Sequence, residues 1–462
     1  MFYNDRLFYR KILLCLGDLA ILLGSLFIAL SVRKLELVSM AEFRLHLSLF
    51  LPVFFLSIIV FFLFDLYNLK ILKNIYRTTY LLFLAVLLNA LLSISFLYIF
   101  TQFFSLTPKT ILFLFIFFNF FLTLVWRFVY YDLFFARYRY TKKVLLIGSP
   151  ETNGNIDKIV TSADGVDYKI VGFVSASSQE TASPYPAIPY LGQCRNIQEI
   201  IKENHVDELI VAFDYRAHPD FVRELSDSLA LGIKIFEWPI FYEDVFQKVP
   251  TNYIDHFWFI YNISESNKRL YERIKRSFDI LIALIGTFFL LITAPLVALG
   301  TKLTSSGPVF YKQKRIGLNG KEFVLIKFRT MKTDAEKNGA RWSEENDTRI
   351  TNFGKFLRKT RLDEMPQFLN ILKGDMSLVG PRPERPEFMA ILNQKIPFYY
   401  KRNIVRPGAT GFAQIMYPYA ASIEDSIEKV GYDLYYIKNR SLFLYFKIIL
   451  RTIKVMLMFK GR

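Results

Sequence analysis

The chain is poor in the side chains that most often cross-link a fold or bind a transition metal. Its two cysteines, Cys15 and Cys194, exclude a disulfide scaffold. Cys15 lies in an apolar run and reads as a small buried hydrophobe. Four histidines, His46, His205, His218 and His256, share no ligand spacing, which excludes a His-based metal site. Acid is scarce as well: 41 Asp and Glu stand against 58 Lys and Arg, for a formal charge of +17 over 462 residues. What is plentiful is apolar surface, 53% of the residues, with 47 Phe and 27 Tyr. Uncharged runs of about twenty residues exclude both a disordered chain and an ordinary soluble enzyme. A chain of this length predicts two or three domains.

Residues 1–140 contain four apolar stretches, Ile12–Val32, Leu47–Leu66, Thr78–Phe100 and Thr110–Val129, each long enough to span a bilayer as a helix. The first is too long, and too charged after its end, for a cleaved signal peptide. Arg6, Arg10 and Lys11 precede it, Lys70, Lys73 and Arg77 join the second to the third, and Arg137, Arg139, Lys142 and Lys143 follow the fourth. The positive-inside rule therefore puts both ends of this four-helix transmembrane bundle in the cytoplasm. Asp18 falls inside the first stretch. It reads as either a transport site or an acid that reaches the interface or a basic partner, and no other acid sits deep in the bundle.

Residues 141–260 alternate strand-like and helix-like runs. Strands are expected at Lys143–Ser149, Tyr168–Val174, Glu208–Phe213 and Ile233–Trp238, with helices at Asn196–Asn204 and Asp220–Leu231. Alternation of this kind predicts a small, parallel, Rossmann-like α/β domain. Its first turn, Gly148-Ser-Pro-Glu-Thr-Asn-Gly154, lacks the spacing of a dinucleotide fingerprint. A structural or regulatory role is the expectation there.

The third domain, 261–462, holds the positive charge. From Lys268 onward about 35 Lys and Arg face 17 Asp and Glu, so this part should meet anions. A fifth apolar segment, Ile280–Thr301, has cations on both sides and Pro295 inside it. Basic flanks at both ends favour a return to the cytoplasmic face, and proline removes a helical hydrogen bond. A re-entrant membrane helix over about 278–301, broken at Pro295, is expected. The tail Ser441–Lys454 spaces Lys447, Arg451 and Lys454 along one face. It reads as an interfacial amphipathic helix or as one buried against the domain.

In Leu357-Arg-Lys-Thr-Arg-Leu-Asp-Glu-Met-Pro-Gln-Phe-Leu-Asn-Ile-Leu-Lys-Gly-Asp375, Met365, Phe368, Leu369 and Leu372 recur at helical spacing. Pro366 suits the first turn and Gly374 the stop. Asp363 and Glu364 then lie at the helix start, with Arg358 and Arg361 in the approach. Arg382 sits between two prolines, and Arg406 stands in a Gly/Pro loop. Paired acids, several arginines and no histidine suit phosphoryl chemistry: one carboxylate as nucleophile, a second as ligand to Mg²⁺, guanidinium forks on a diphosphate. A plain helix cap is the other reading of the same two acids.

Ordered blocks decide between them. Arg276-Ser-Phe-Asp279, Gly307-Pro-Val-Phe310, Lys327-Phe-Arg-Thr-Met331, Leu362-Asp-Glu-Met-Pro-Gln367, Leu372-Lys-Gly-Asp-Met-Ser-Leu-Val-Gly-Pro-Arg-Pro383 and Arg406-Pro-Gly-Ala-Thr-Gly411 resemble the bacterial polyprenyl-phosphate phosphoglycosyl transferases, from about Lys268 to the C-terminus. The front end resembles, in architecture, their larger members such as the undecaprenyl-phosphate glucose or galactose phosphotransferases. The resemblance implies a membrane-anchored α/β catalytic domain. It implies transfer of a sugar 1-phosphate from a UDP-sugar to undecaprenyl phosphate, with release of UMP, as a first membrane step of exopolysaccharide, capsule or O-antigen synthesis. It makes Asp363 the nucleophile that carries the phosphosugar and Glu364 the Mg²⁺ ligand. It makes Arg358, Arg382 and Arg406 phosphate contacts and Pro295 the helix break. It further implies a multi-pass protein of the bacterial inner membrane, in contact with lipid, with its α/β and catalytic domains in the cytoplasm, and a homodimer. Two positions depart from the family pattern: Ala294 stands where Ser is common, and Arg361 where Ser or another small residue is usual. The intact acid block speaks against a non-catalytic membrane scaffold or nucleotide sensor, and the apolar helices against a nucleic-acid binder.

Overall fold

The computed structural model describes residues 2–72, 74–99, 109–136, 142–148, 168–175, 183, 188–213, 219–263, 268–333, 335, 347–417 and 422–457. The chain forms two compact units, Met1–Trp238 and Pro239–Arg462.

The first unit begins with four long helices: α1 (Phe2–Lys34), α2 (Met40–Leu63), α3 (Ile75–Ile99) and α4 (Lys109–Tyr131). All four are long and apolar enough to cross a membrane. The expected stretches fall within or across them, although Phe100, Lys73, Arg137 and Arg139 lie outside the described residues. Gly17 lets α1 and α4 approach closely: a Cβ there would sit 2.3 Å from the Trp126 ring. The Trp126 indole donates to the Leu14 carbonyl at 3.3 Å. Asp18 has the basic partner that its cost in hydrocarbon demands. Arg127 of α4 meets it at 2.7 Å, and both side chains are fully buried. Deeper in the bundle, Asn89 donates to Ser57 at 2.7 Å, tying α3 to α2. Cys15 is half-buried rather than enclosed.

A five-stranded sheet follows, β1 (Lys142–Gly148), β2 (Tyr168–Ser175), β3 (Tyr190–Gln193), β4 (Glu208–Val211) and β5 (Lys234–Glu237). Its order is β3-β2-β1-β4-β5 and every pairing is parallel. The centre of the sheet is covered on both faces, so β1 and β4 read as continuous apolar runs. Helices α5 (Ile197–Asn204) and α6 (Pro219–Ser228) lie in the connections from β3 to β4 and from β4 to β5. The short edge strand β3 was not anticipated; four residues interrupted by Gly192 carry too little pattern. The turn 149–154 lies outside the described residues.

The second unit is organised around α7 (Arg269–Thr304), β6 (Phe310–Ile316), β7 (Glu322–Phe328), α8 (Asn352–Thr360), α9 (Gln367–Lys373), β8 (Ser377–Val379), α10 (Pro386–Lys395), β9 (Gly408–Thr410), α11 (Ile423–Lys438) and α12 (Leu442–Leu457). β6 and β7 form an antiparallel hairpin, and β8 pairs in parallel with β9. Val379, Leu392, Tyr399, Phe412, Val430, Leu434, Tyr445 and Ile448 share the main core. α12 buries Leu444, Tyr445 and Ile448 there, as the reading of a helix packed against the domain expects, and turns Phe443 outward.

α7 runs as one 36-residue helix through Pro295 rather than ending there. Lys275, Asp279, Ala283, Gly286, Leu290, Val297 and Thr301 form its buried stripe, while Leu284, Phe288, Leu291, Leu296 and Leu299 are exposed. Asp279 fixes the start of this helix to the domain. Its carboxylate accepts from Ser377 Oγ (2.8 Å), the Leu378 amide (3.0 Å) and the Tyr445 hydroxyl (3.0 Å).

Breaking a buried pair strands the remaining charge, whereas removing both partners does not. Asp18→Leu alone therefore lowers the stability of the detergent-solubilised protein by about 3–5 kcal/mol, read as thermal unfolding, and adding Arg127→Leu restores most of it.

Candidate active site

The acid pair is held by a helix–turn–helix whose ends are written into the sequence. Thr351 caps α8 by accepting from the Gly354 amide at 2.9 Å. α8 stops because Arg361 adopts a left-handed conformation (φ 61°). Leu362–Glu364 forms a tight 3₁₀ turn, Pro366 enters α9 with φ −62°, and Gly374 closes it at φ 94°. Leu362 and Met365, which flank the two acids, pack with Leu290 and Val297 of α7 and with Phe328 and Leu357. The acid turn therefore rests on the apolar helix.

Asn370 brings the hairpin to the same place. It donates to the Val324 carbonyl (2.7 Å) and accepts from the Ile326 amide (3.1 Å), extending β7 with a side chain. The next residue is Lys327, which lies 5.1 Å from the Tyr311 ring centre. Arg358 donates from Nε to Thr330 Oγ1 at 3.0 Å. Across the site, Arg382 Nη2 meets Glu364 Oε1 at 3.1 Å, and Arg361 Nη1 lies 3.5 Å from Glu364 Oε2.

Adjacent carboxylates in one buried turn take opposite characters. Burial and the neighbouring Glu364 charge push Asp363 up to about 7, against the opposing pull of Lys327, Arg358 and Arg361. Burial would raise Glu364 too, but Arg382 and Arg361 outweigh it and hold the group below the usual range. Burial, with Arg315 and Arg358 close by, lowers Lys327 to about 8. Asp363 Oδ1 is buried and accepts no hydrogen bond. One acid is thus a fixed anion locked to arginines. The other has a free lone pair and titrates near neutrality.

Asp363, Glu364, Arg358 and Arg382 lie together around the acid turn. Arg406 stands elsewhere: its Nε donates to the Gly374 carbonyl at 3.2 Å, at the far end of α9 from the acid turn. Arg276 caps the Ile371 and Leu372 carbonyls at that same end. Arg361, placed in the approach by the sequence, pairs with Glu364, whereas Lys327 and Arg315 carry no site role in the sequence reading. The alternation Tyr311, Gln313, Arg315 opposite Lys327 was the available signal, since it sets one face of the hairpin. Among the described residues no group of three or more His, Cys, Asp or Glu gathers to hold a metal. Most of the loop Asp334–Arg349 and residues 418–421 lie outside the described residues.

The family model for bacterial sugar transferases matches residues 270–459, and that for a CoA-binding domain matches 62–230. The chain is 46% identical over 192 residues to a UDP-N-acetylgalactosamine-undecaprenyl-phosphate N-acetylgalactosaminephosphotransferase of Aeromonas hydrophila, covering 41% of this chain and 44% of the relative. It is 30% identical over 330 residues to a UDP-glucose:undecaprenyl-phosphate glucose-1-phosphate transferase of Xanthomonas campestris pv. campestris, covering 67% and 66%. A protein of the same name from Caulobacter vibrioides is 37% identical over 185 residues, or 40% of this chain and 69% of the relative. The chain belongs to the bacterial sugar transferase family. Over the Aeromonas relative the match spans less than half of that protein's length.

If Asp363 must be ionised to act, the transferase rate rises with pH through about 7 and falls as Lys327 loses its proton near 8. Arg361→Ser removes a charge that favours the carboxylate, so the rising limb of the pH–rate profile moves to higher pH. A limb left in place contradicts this coupling.

Proposed function

We propose that the protein transfers a sugar 1-phosphate from a UDP-sugar to undecaprenyl phosphate at the cytoplasmic face of the inner membrane. The observation that carries this reading is the buried, unpartnered Asp363 Oδ1 beside an arginine-locked Glu364, on a turn seated against α7. A free carboxylate oxygen amid excess positive charge suits attack on a phosphorus whose neighbours are anionic. Asp363 forms a bond to the sugar-bearing phosphorus, and the bond between that phosphorus and the bridging oxygen breaks. The electron pair leaves on UMP. A phosphate oxygen of undecaprenyl phosphate then attacks the same phosphorus, and the aspartyl bond breaks to return the carboxylate. Arg358 and Arg382 hold phosphate oxygens in place through both steps.

Mg²⁺ takes one or two carboxylates together with substrate phosphates and water, and Glu364, the acid held ionised here, suits it. Glu364 would hold it, and the ion would supply charge neutralisation at the diphosphate. Arg406 is kept as a phosphate contact only in the second rank, because it already caps α9.

What α7 touches supports the membrane placement. Lys275 hydrogen-bonds Ser377, and Gly300 backs onto the Phe353 ring, where a Cβ would meet carbon at 2.5 Å. Twenty-five residues of helix span about 37 Å, more than the roughly 30 Å hydrocarbon core. A polar domain packed along this length of an unbroken helix favours one seated at a single face of the membrane beside the domain, exposing Leu284, Phe288 and Leu296 to lipid. The donor sugar differs between the relatives, glucose in one name and N-acetylgalactosamine in another.

Purified protein supplied with Mg²⁺, undecaprenyl phosphate and a panel of UDP-sugars, starting with these two, releases UMP with one of them. Asp363→Asn abolishes that release; full activity in the variant rejects the assigned nucleophile.

A further inference from the structure

Arg382 is presented by a segment whose backbone is secured along its length. The Gly380 amide donates to the Thr410 carbonyl, and the Pro381 carbonyl accepts from the Gly408 amide, both at 2.9 Å. The Glu384 carbonyl accepts from the Ile316 amide at 2.9 Å. The two carbonyls between them are taken by guanidinium groups. Arg402 Nη2 donates to the Arg382 carbonyl and Arg315 Nη1 to the Pro383 carbonyl, each at 3.0 Å.

Arg402 is itself immobilised. It is 5% exposed. Nε and Nη2 both donate to Asp433 Oδ2 of α11, at 3.0 and 2.7 Å, and Nη1 donates to the Tyr399 hydroxyl at 2.8 Å. One planar fork thus joins a core helix, a core tyrosine and the backbone of the residue that grips Glu364. A lysine ammonium keeps the charge opposite Asp433 but lacks the rigid fork needed to reach all three groups.

We infer that Arg402 is a positioning residue for the donor diphosphate: it touches neither acid, and it fixes the Arg382 backbone so that the Arg382 guanidinium reaches both Glu364 and an incoming phosphate. The inference rests on the proposed use of a UDP-sugar, and two readouts separate its failure from a failure of that use. The first needs no nucleotide. Hydrogen exchange of the peptide spanning 380–385, in full-length detergent-solubilised protein, is faster in Arg402→Lys than in the parent; unchanged exchange overturns the inference. The second is a double-mutant cycle on UDP binding in the presence of Mg²⁺, with Arg402→Lys, Arg382→Gln and the pair. Losing one charge-assisted hydrogen bond predicts about tenfold weaker UDP binding for Arg402→Lys in the parent. Less than about twofold further loss is expected in the Arg382→Gln background, because the two act as a unit. Losses that multiply, as from general damage to the fold, overturn it. Where Arg402→Lys does not fold, Tyr399→Phe removes only the hydroxyl behind Nη1 and enters both measurements with a smaller effect in the same direction. A parent protein that binds no UDP counts against the donor reading, while the exchange measurement still decides the role of Arg402.

Discussion

Two carboxylates placed next to each other in a buried turn repel, and the cations around them are not shared equally. Glu364 takes Arg382 and Arg361, while Asp363 keeps a bare oxygen. The separation of roles between neighbouring acids follows from that unequal pairing. An ion already matched by guanidinium stays charged and makes a steady anchor. A carboxylate in burial without a hydrogen bond is poorly stabilised as an anion, which makes its lone pair available. Lys327 and Arg358 keep the second group within reach of ionisation near neutral pH.

The same turn ties the acid pair to the long apolar helix. Leu362 and Met365 on either side of the acids join the apolar cluster of Leu290 and Val297, so the helix that faces outward with Leu284 and Phe288 is also the floor of the site. The buried stripe of α7 needs small residues at its tight points. Gly286 accepts the Phe368 ring of α9 against its backbone and Gly300 the Phe353 ring from the first turn of α8. A reaction between a water-soluble nucleotide sugar and a lipid-borne phosphate needs a site at such a boundary.

Local signals carried far into this architecture. Pro366 and Gly374 set the limits of α9 because each acts on its own backbone, and the apolar runs of β1 and β4 told a parallel sheet from an amphipathic one. What the sequence left hidden depends on distant partners. Arg127 as counterion to Asp18 lies 109 positions away. Lys327 joins the acids only through the hairpin register and the Asn370 bridge, and Arg402 reaches Arg382 across a fold of the core. Pro295 was read by its local rule, which says break. Packing of the neighbouring Ala294 and Val297 into the cluster holds the chain helical through it. Arg406 shares the loop chemistry of a phosphate contact, yet its guanidinium caps α9.

The central claim is a transient bond between one oxygen of Asp363 and phosphorus. Incubating the protein with Mg²⁺ and the accepted UDP-sugar, without undecaprenyl phosphate, and quenching for intact and peptide mass analysis tests it directly. The account predicts a mass increase of one sugar phosphate on the peptide that contains Asp363, lost again when undecaprenyl phosphate is added. Lipid-linked product formed by a protein that never carries this adduct, under the same quench, would contradict it.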